Sequence, residues 1–325
     1  MMQLFNSLSN NVDGFAVDAK VESELVYDNC QDSSPLISIM IPTYKRSELI
    51  IDAIRSATAQ VTALSFEIVI VDNDQNDAAI KRTIEVAKSL GFTNFRYYKN
   101  AENIGLYGNW NRCLQLARGK WLTILNDDDL LDSSWLEQLY AVTTEHHGVT
   151  IVACGVRPRT IKNQTPPVSS FRQIYNCIKK LINKIFSTQI RSLGAIDYFV
   201  AMPHNGSLGL LIRKDIAISI GGFDSNLYPC ADYVFFSKIA LGNKTLNIPN
   251  VLATYRLGDN ISAKPEVIYA GVKINKIVQY ELASLINVNK KILDRYIERF
   301  SVKSLSGKRL DNQPEEIKFK HTSKG

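Results

Sequence analysis

The amino-acid sequence predicts an α/β protein, a mostly parallel central sheet with helices on both faces, continued by a C-terminal helical region. Three features predict it. Short, almost uninterrupted apolar runs alternate with amphipathic stretches from residue 37 onward, as in parallel sheets whose strands are covered on both sides. Amphipathic stretches open on capping residues such as Ser47 and Asp77, and those ending near 90 and 118 close on Gly91 and Gly119. The 325 residues, 45% hydrophobic and 22% charged, supply a large core without disulfide or metal staples.

Residues 1–34 are polar and aperiodic and are expected to form an extension outside the core. Residues 37–41 (ISIMI) form the first strand, closed by Pro42, which has no amide hydrogen to offer a ladder. Ser47 is expected to cap a helix whose apolar face is Leu49, Ile50, Ala53, Ile54 and Ala57. Residues 66–71 (FEIVIV) form the second strand; Asp77 caps a helix bearing Ile80, Ile84, Ala87 and Leu90, and Gly91 stops it. A third strand covers 95–98, a helix 109–118, a fourth strand 121–125 (WLTIL) and a further helix 133–145. A strand over 150–156 and an apolar segment over 207–212 follow. The periodic apolar residues from Ile268 to Ile286 predict a long helix beginning near Pro265 and packing over the domain, with dimerisation or membrane contact as alternatives. The expected organisation is an extension (1–34), a main domain (35–260) with a basic amphipathic insertion over 157–192, and a helical region with a polar tail (261–325).

The net charge of +6 is unevenly placed, since residues 157–192 hold eight basic side chains and no acidic one. Such a stretch favours an anionic neighbour. Within it Phe171, Ile174, Tyr175, Ile178, Ile182, Ile185 and Phe186 recur at helical spacing among Lys179, Lys180 and Lys184. The pattern suits either a helix packed on the domain or one lying on an anionic membrane surface. No apolar run is long enough to span a bilayer, and the first ten residues lack a signal-peptide pattern. Five scattered cysteines without a CxxC pair fit a reducing compartment. The expected location is cytoplasmic, with peripheral contact on the inner membrane face as a variant.

Ligands of open parallel sheets bind beyond the carboxyl ends of the strands, where loops converge. The unusual polar residues fall there. Pro42-Thr43-Tyr44-Lys45-Arg46 follows the first strand, Asp72-Asn73-Asp74 the second and Asn126-Asp127-Asp128-Asp129 the fourth. Adjacent aspartates raise one another's pKa unless a cation intervenes, and hard divalent ions such as Mg2+ or Mn2+ bind one or two carboxylates together with substrate phosphates.

These blocks resemble the family 2 glycosyltransferases of the Rossmann-like GT-A fold. Residues 39–46 (IMIPTYKR) are similar to the family's opening strand, and 69–77 (VIVDNDQND) to its second strand and acidic turn. Asn103-Ile104-Gly105, Asn111 and residues 117–121 (ARGKW) match its third block. Asn126 to Asp129 resembles its DxD region; Gly221-Gly222-Phe223-Asp224 and Ala231-Asp232-Tyr233 resemble its acceptor-side and catalytic-base motifs. The resemblance implies an inverting transferase that moves a sugar from a nucleotide donor, of uridine type, to a hydroxyl of a polysaccharide or glycolipid precursor. It places Pro42, Thr43, Tyr44, Arg46 and Asp72 around the nucleotide base, with Asn103, Gly105, Asn111, Asp127 and Asp128 completing the donor site. Asp128 and Asp129 would hold Mn2+ or Mg2+, Asp232 would be the general base, and His204, Asn205, Gly222 and Phe223 would line the acceptor side.

Four departures from the family pattern stand out. Asn126 replaces the first Asp of DxD, Trp110 stands where many members have Arg, Ala231 replaces the acid before the base, and no His follows Tyr255-Arg256 in the last core block. Ala231 keeps open a non-catalytic nucleotide-sugar-binding module acting as an assembly partner. A nucleic-acid-binding role lacks a recognition motif and sets phosphate against an acidic crevice. A nucleotidyltransferase would need a glycine-rich phosphate loop, and residues 42–48 contain no glycine.

Overall fold

A computed structural model of the chain describes residues 12–160, 189–257 and 264–286, together with 289, 293 and 294. The strands are β1 (Ser23–Asp28), β2 (Ile37–Thr43), β3 (Phe66–Asp72), β4 (Phe95–Asn100), β5 (Trp121–Ile124), β6 (Leu130–Leu131), β7 (Val149–Thr160), β8 (Arg191–Leu193), β9 (Leu210–Arg213) and β10 (Lys244–Leu257). The helices are α1 (Ile50–Thr58), α2 (Asp77–Ser89), α3 (Gly105–Leu116), α4 (Trp135–Glu145), α5 (Ala195–Val200), α6 (Lys214–Ser219), α7 (Ala231–Gly242) and α8 (Pro265–Leu285).

One sheet runs in the order β1-β4-β3-β2-β5-β9-β7-β10-β6, with β8 paired to β10. Strands β4, β3, β2 and β5 are parallel neighbours, and β7 is parallel to β10. Between these blocks β9 runs antiparallel to both β5 and β7. Alternation along β2 sends Ile37, Ile39 and Ile41 to a core shared with α1, α2 and α4, while Met40 faces a second core with α3 and α7. The second core holds Trp110, Phe223, Phe235 and Phe236, with Phe223 and Phe235 stacked at 4.0 Å between ring centroids. Each such ring or branched side chain contributes about 1.5–3 kcal/mol when fully buried.

Pro42 lies inside β2 rather than ending it. Pairing with β3 continues to Thr43, whereas pairing with β5 stops at Met40. The Met40 carbonyl points to the β5 side, where it accepts the Leu125 amide. Two residues on, the missing Pro42 hydrogen faces the same side, past the end of β5.

The caps differ from the expected ones. Arg46 O accepts the amides of Leu49 and Ile50, and no side chain caps α1 in place of Ser47. Asn76, one residue before Asp77, accepts the Ala78 and Ala79 amides at the start of α2. Helix α3 begins at Gly105, four residues before 109, because Asn103 Oδ1 takes the Gly105 amide and Gly105 adopts φ +75°.

The N-terminal stretch is not a free extension. β1 pairs antiparallel with β4 and forms the sheet edge with none of its residues buried, so no long apolar run was needed to make it. Ahead of it, the Gly14 amide donates to Gly221 O at 2.8 Å, and Arg112 reaches the carbonyls of Asp18 and Val21. Helix α8 buries Val272, Ile274, Val278 and Leu282, the last three inside the second core, so 265–285 packs on the main domain as expected. Arg157 and Arg159 end β7, and the amphipathic stretch expected over 171–191 lies outside the described residues up to 188, as does the tail beyond 294. Among the described residues no helix is long and apolar enough to cross a membrane, and Cys30, Cys113, Cys154 and Cys230 are free thiols.

Candidate functional site

The ends of β2 and β5 meet through their polar residues. Thr43, the last residue of β2, donates its hydroxyl to Asp127 Oδ2 at 2.8 Å. Arg46 Nη1 bridges Asp127 Oδ1 at 3.1 Å and Asp128 Oδ2 at 2.7 Å. Between them Lys45 takes φ +55°, an uncommon conformation for a residue with a side chain, and leaves Tyr44 40% exposed with the Lys45 ammonium 5.1 Å from its ring centroid.

Asp72 closes β3 beside this pair. Its Oδ2 accepts the Tyr97 hydroxyl at 2.5 Å and its Oδ1 the Asp74 amide at 2.8 Å. Burial pushes its carboxyl up to about 6, against the pull of those two donors. A buried amide network ties the strand ends together. Asn100 donates to Asn73 at 2.8 Å and to Asn109 at 3.1 Å, and Asn109 donates to Val71 O at 2.9 Å. Because Asn109 lies on the first turns of α3, that helix starts at the carboxyl ends of the strands. Asn103 is exposed and serves the start of α3, and Gly105 O accepts Asn73 Nδ2 at 3.1 Å.

The three aspartates diverge. Asp127 and Asp128 are 5% and 9% exposed and face Arg46, whereas Asp129 is 0% exposed. Asp129 Oδ1 accepts the Arg256 amide at 3.2 Å and its Oδ2 accepts Asn126 Nδ2 at 3.0 Å. Burial pushes the Asp129 carboxyl to about 7. It is thus an internal anchor of the turn, and the structure does not bring it to the cleft as a metal ligand. Arg256 braces the same turn, donating from Nε to Asp128 O, from Nη1 to Asp52 at 2.8 Å and from Nη2 to Leu49 O at 3.0 Å.

A donor set of hard carboxylate oxygens suits Mg2+ or Mn2+. Asp128 fits that task, with Oδ2 on Arg46 and Oδ1 bound by no other side chain among the described residues. Among the described residues no three His, Cys, Asp or Glu side chains converge to enclose an ion. The arrangement therefore suits an ion completed by ligand phosphates rather than caged by protein.

Asp232 stands on the first turn of α7. Its Oδ1 accepts the Tyr233 amide at 2.8 Å and lies 3.2 Å from the Tyr107 hydroxyl of α3. Burial pushes its carboxyl up to about 6. Its Oδ2 faces the turn at Gly206, 3.4 Å from where a Cβ at that position would lie. That turn is held by His204, whose Nδ1 donates to Gly206 O at 2.8 Å and whose Nε2 meets the Tyr198 hydroxyl at 2.8 Å. Burial drives His204 down to about 4, so it is neutral and packs edge-on against Phe236, 4.8 Å between centroids. His204 shapes the loop beside Asp232, while Asn205 is exposed on it.

Buried Asn111 and Phe223, with half-buried Gly222 between their elements, form a clamp. Asn111 Oδ1 accepts the Phe223 amide at 2.7 Å, and Asn111 Nδ2 donates to Phe223 O at 2.8 Å and Gly14 O at 3.0 Å. A Cβ on Gly222, at φ +68°, would lie 2.5 Å from Asn111 Oδ1. Phe223 is wholly buried. Asn111 and Phe223 are thus committed to this clamp, and the structure exposes neither to a donor or an acceptor. Sequence reasoning missed Tyr107, Asn109 and Arg256, whose partners lie far away in the chain; the single available signal was Tyr255-Arg256 as a recognisable block.

A family model described as glycosyl transferase family 2 matches residues 38–205, more than half of the chain. An uncharacterized protein of Mycobacterium tuberculosis is 25% identical over 229 residues, 69% of this chain and 68% of that protein. A PGL/p-HBAD biosynthesis glycosyltransferase of Mycobacterium bovis is 30% identical over 121 residues, 37% of this chain and 46% of that one, so the match spans under half of the relative. Among solved structures, S. aureus TarS 1–349 in complex with UDP-GlcNAc superposes with a TM-score of 0.59 at 17% identity, covering 84% of this chain and 73% of that one. The mannosyltransferase PcManGT from Pyrobaculum calidifontis, in complex with GDP-Man and Mn2+, does so at 0.55 and 16%, covering 94% and 78%. At these identities the structural likeness establishes the fold.

Proposed function

The chain belongs to glycosyl transferase family 2, and from that premise we propose that it is a metal-dependent inverting enzyme transferring a sugar from a nucleotide donor, UDP-linked, to a hydroxyl of a polysaccharide or glycolipid precursor. The observation that carries the reading is the convergence of Thr43, Arg46, Asp127 and Asp128 from two strand ends, with Asp232 reached through the first turn of α3. The donor's base would lie on Tyr44 near Asp72, and its diphosphate between Arg46 and Asp128. Bound there by Asp128, with Asp127 beside it, Mg2+ or Mn2+ would neutralise charge on the departing diphosphate. Asp232 takes the proton of the acceptor hydroxyl as its oxygen bonds to the anomeric carbon. The bond from that carbon to the diphosphate breaks on the opposite face, inverting the centre. No protein nucleophile is needed. Burial of Asp232 raises its affinity for that proton, as a general base working near neutrality requires.

UDP-GlcNAc and GDP-Man in the structural neighbours support a nucleotide-sugar donor. The basic stretch over 157–192 supports work at the inner membrane face, beside a lipid-linked acceptor.

Asp232→Asn tests the reading. Transfer from UDP-GlcNAc or GDP-Man to a panel of saccharide acceptors is expected to fall by about 10^2–10^4-fold while titration calorimetry shows nucleotide binding unchanged. Near-normal turnover in this variant removes Asp232 from the base role.

A further inference from the structure

We propose that Tyr107 is a positioning residue for Asp232, its O–H turning to the carboxylate when Asp232 is ionised and back to the Pro229 carbonyl when Asp232 is protonated. The inference rests on Asp232 as the acceptor-side base. In the family pattern that base has an acidic neighbour, and here the place is taken by Ala231, 1% exposed and packed in the core. The Tyr107 hydroxyl instead approaches from α3, 2.7 Å from Pro229 O and 3.2 Å from Asp232 Oδ1.

A phenol has one proton and two lone pairs. Two acceptors therefore compete for one donor, and the shorter contact is to Pro229 O. When Asp232 is ionised, turning the phenol proton to Oδ1 gives the carboxylate a second donor beside the Tyr233 amide. Once Asp232 is protonated on Oδ2, the oxygen those two contacts leave, Oδ1 is a neutral carbonyl oxygen with less call on a donor, and the phenol proton returns to Pro229 O. The ionised carboxylate thus gains a donor at the expense of the neutral Pro229 carbonyl, and leaving a buried polar atom short of a partner costs about 1–3 kcal/mol, more for a charged one. No bond other than these hydrogen bonds changes, and the phenol keeps its proton throughout.

The phenol is fixed well enough for that exchange. Tyr107 is 3% exposed, stacks on Phe223 at 5.9 Å between centroids, and meets Trp110 edge-on at 5.5 Å and Tyr228 at 6.3 Å. Burial holds the phenol far above its ordinary pKa, so it does not ionise in the working range. Of the other groups facing Asp232, the Cys230 thiol is pushed up to about 12, mainly by burial, and His204 on the Gly206 turn stays neutral. Tyr107 is thus the side-chain hydroxyl on Asp232 among the described residues.

The test is a titration of Asp232 itself in the full chain, read from 13C-labelled aspartate carboxyls without donor or acceptor. The Asp232 signal is assigned by its loss in Asp232→Asn. In the wild type its midpoint is expected near 6. Tyr107→Phe keeps the ring and removes the hydroxyl, and the midpoint is expected to rise by about one pH unit. An unmoved or lowered midpoint in a variant with wild-type melting overturns the proposal. Should Tyr107→Phe melt early, Tyr107→3-fluorotyrosine, which acidifies the phenol and makes it a better donor, is expected to lower the midpoint instead; an unmoved midpoint there overturns it equally. Because no turnover is read, loss of the base assignment in the transfer assay leaves this outcome separately legible.

Discussion

The carboxyl of Asp232 has no cation beside it among the described residues, and its environment is one of rings and backbone dipoles. Burial raises its pKa from the 3.8 of a free side chain to about 6, with the Tyr233 amide and the Tyr107 hydroxyl pulling the other way. Two opposed pH trends follow. The proposed base works when ionised, so kcat/KM is expected to climb about tenfold per unit below pH 6 and level off above it. The folded state holds its proton to a higher pH than the unfolded chain does. The associated stability is therefore fully present below about 4 and is lost as pH rises through 6. Asp72, also raised to about 6 by burial, adds to that trend with the same sign. A rate profile that falls in acid while the protein still shows its native melting curve identifies titration of the base. Activity that falls only together with loss of native signal contradicts it. Elsewhere single residues carry comparable weight without touching the site. Glu67 and Arg96, 2.7 Å apart and almost wholly buried, close a network with Ser38, Tyr98 and the Leu116 carbonyl at the other end of the strands.

At the scale of elements, what could be read from the sequence was what local pattern determines. The strands β2, β3 and β5 are buried on both faces, so their apolar runs stand out, and the polar residues that end them marked Thr43, Arg46, Asp72, Asp127 and Asp128. Strand β1 was illegible because an edge strand with no buried residue needs no such run. Gly222 and Phe223 were visible as a motif, but a motif does not say which way its side chains face; the positive φ of Gly222 and the Asn111 clamp turn that segment inward. The partners Tyr107–Asp232 and Arg256–Asp128 are more than a hundred residues apart, beyond any periodicity. The N-terminal segment supplies a test at this scale. Removing residues 1–28 strips β4 of its edge partner, takes the Asp18, Val21 and Ser23 acceptors from Arg112, and removes Gly14 from the Gly221–Phe223 turn. The truncated chain is expected to melt about 5–10 °C lower and to self-associate through the bared edge. Unchanged melting by circular dichroism and a monomeric scattering profile would show that the segment is dispensable.

For the whole molecule, the crevice works as a clasp across the chain. Arg46 belongs to the loop after β2, Asp127 and Asp128 to the turn after β5, and Arg256 to β10, and Arg256 also reaches Asp52 and Leu49 at α1. A ligand held between Arg46 and Asp128 thus joins elements separated by some of the longest chain distances in the fold, and none of this exists in the unfolded chain. Its binding free energy should appear as global stability, by about 2.7 kcal/mol at a hundredfold excess over Kd. In a domain of this size that corresponds to a rise in Tm of roughly 5 °C. Arg46 sits on both carboxylates, so a cation alone must compete with its guanidinium. A diphosphate gives Arg46 another anion to hold and frees Asp128. Mn2+ by itself is therefore expected to shift Tm little, UDP or GDP by itself modestly, and the two together by more than the sum of the separate shifts. Asp128→Asn should abolish that excess while leaving the nucleotide's own shift. Differential scanning fluorimetry across these four conditions decides the matter, and strictly additive shifts in the wild type would show that cation and diphosphate do not share the seat between Arg46 and Asp128.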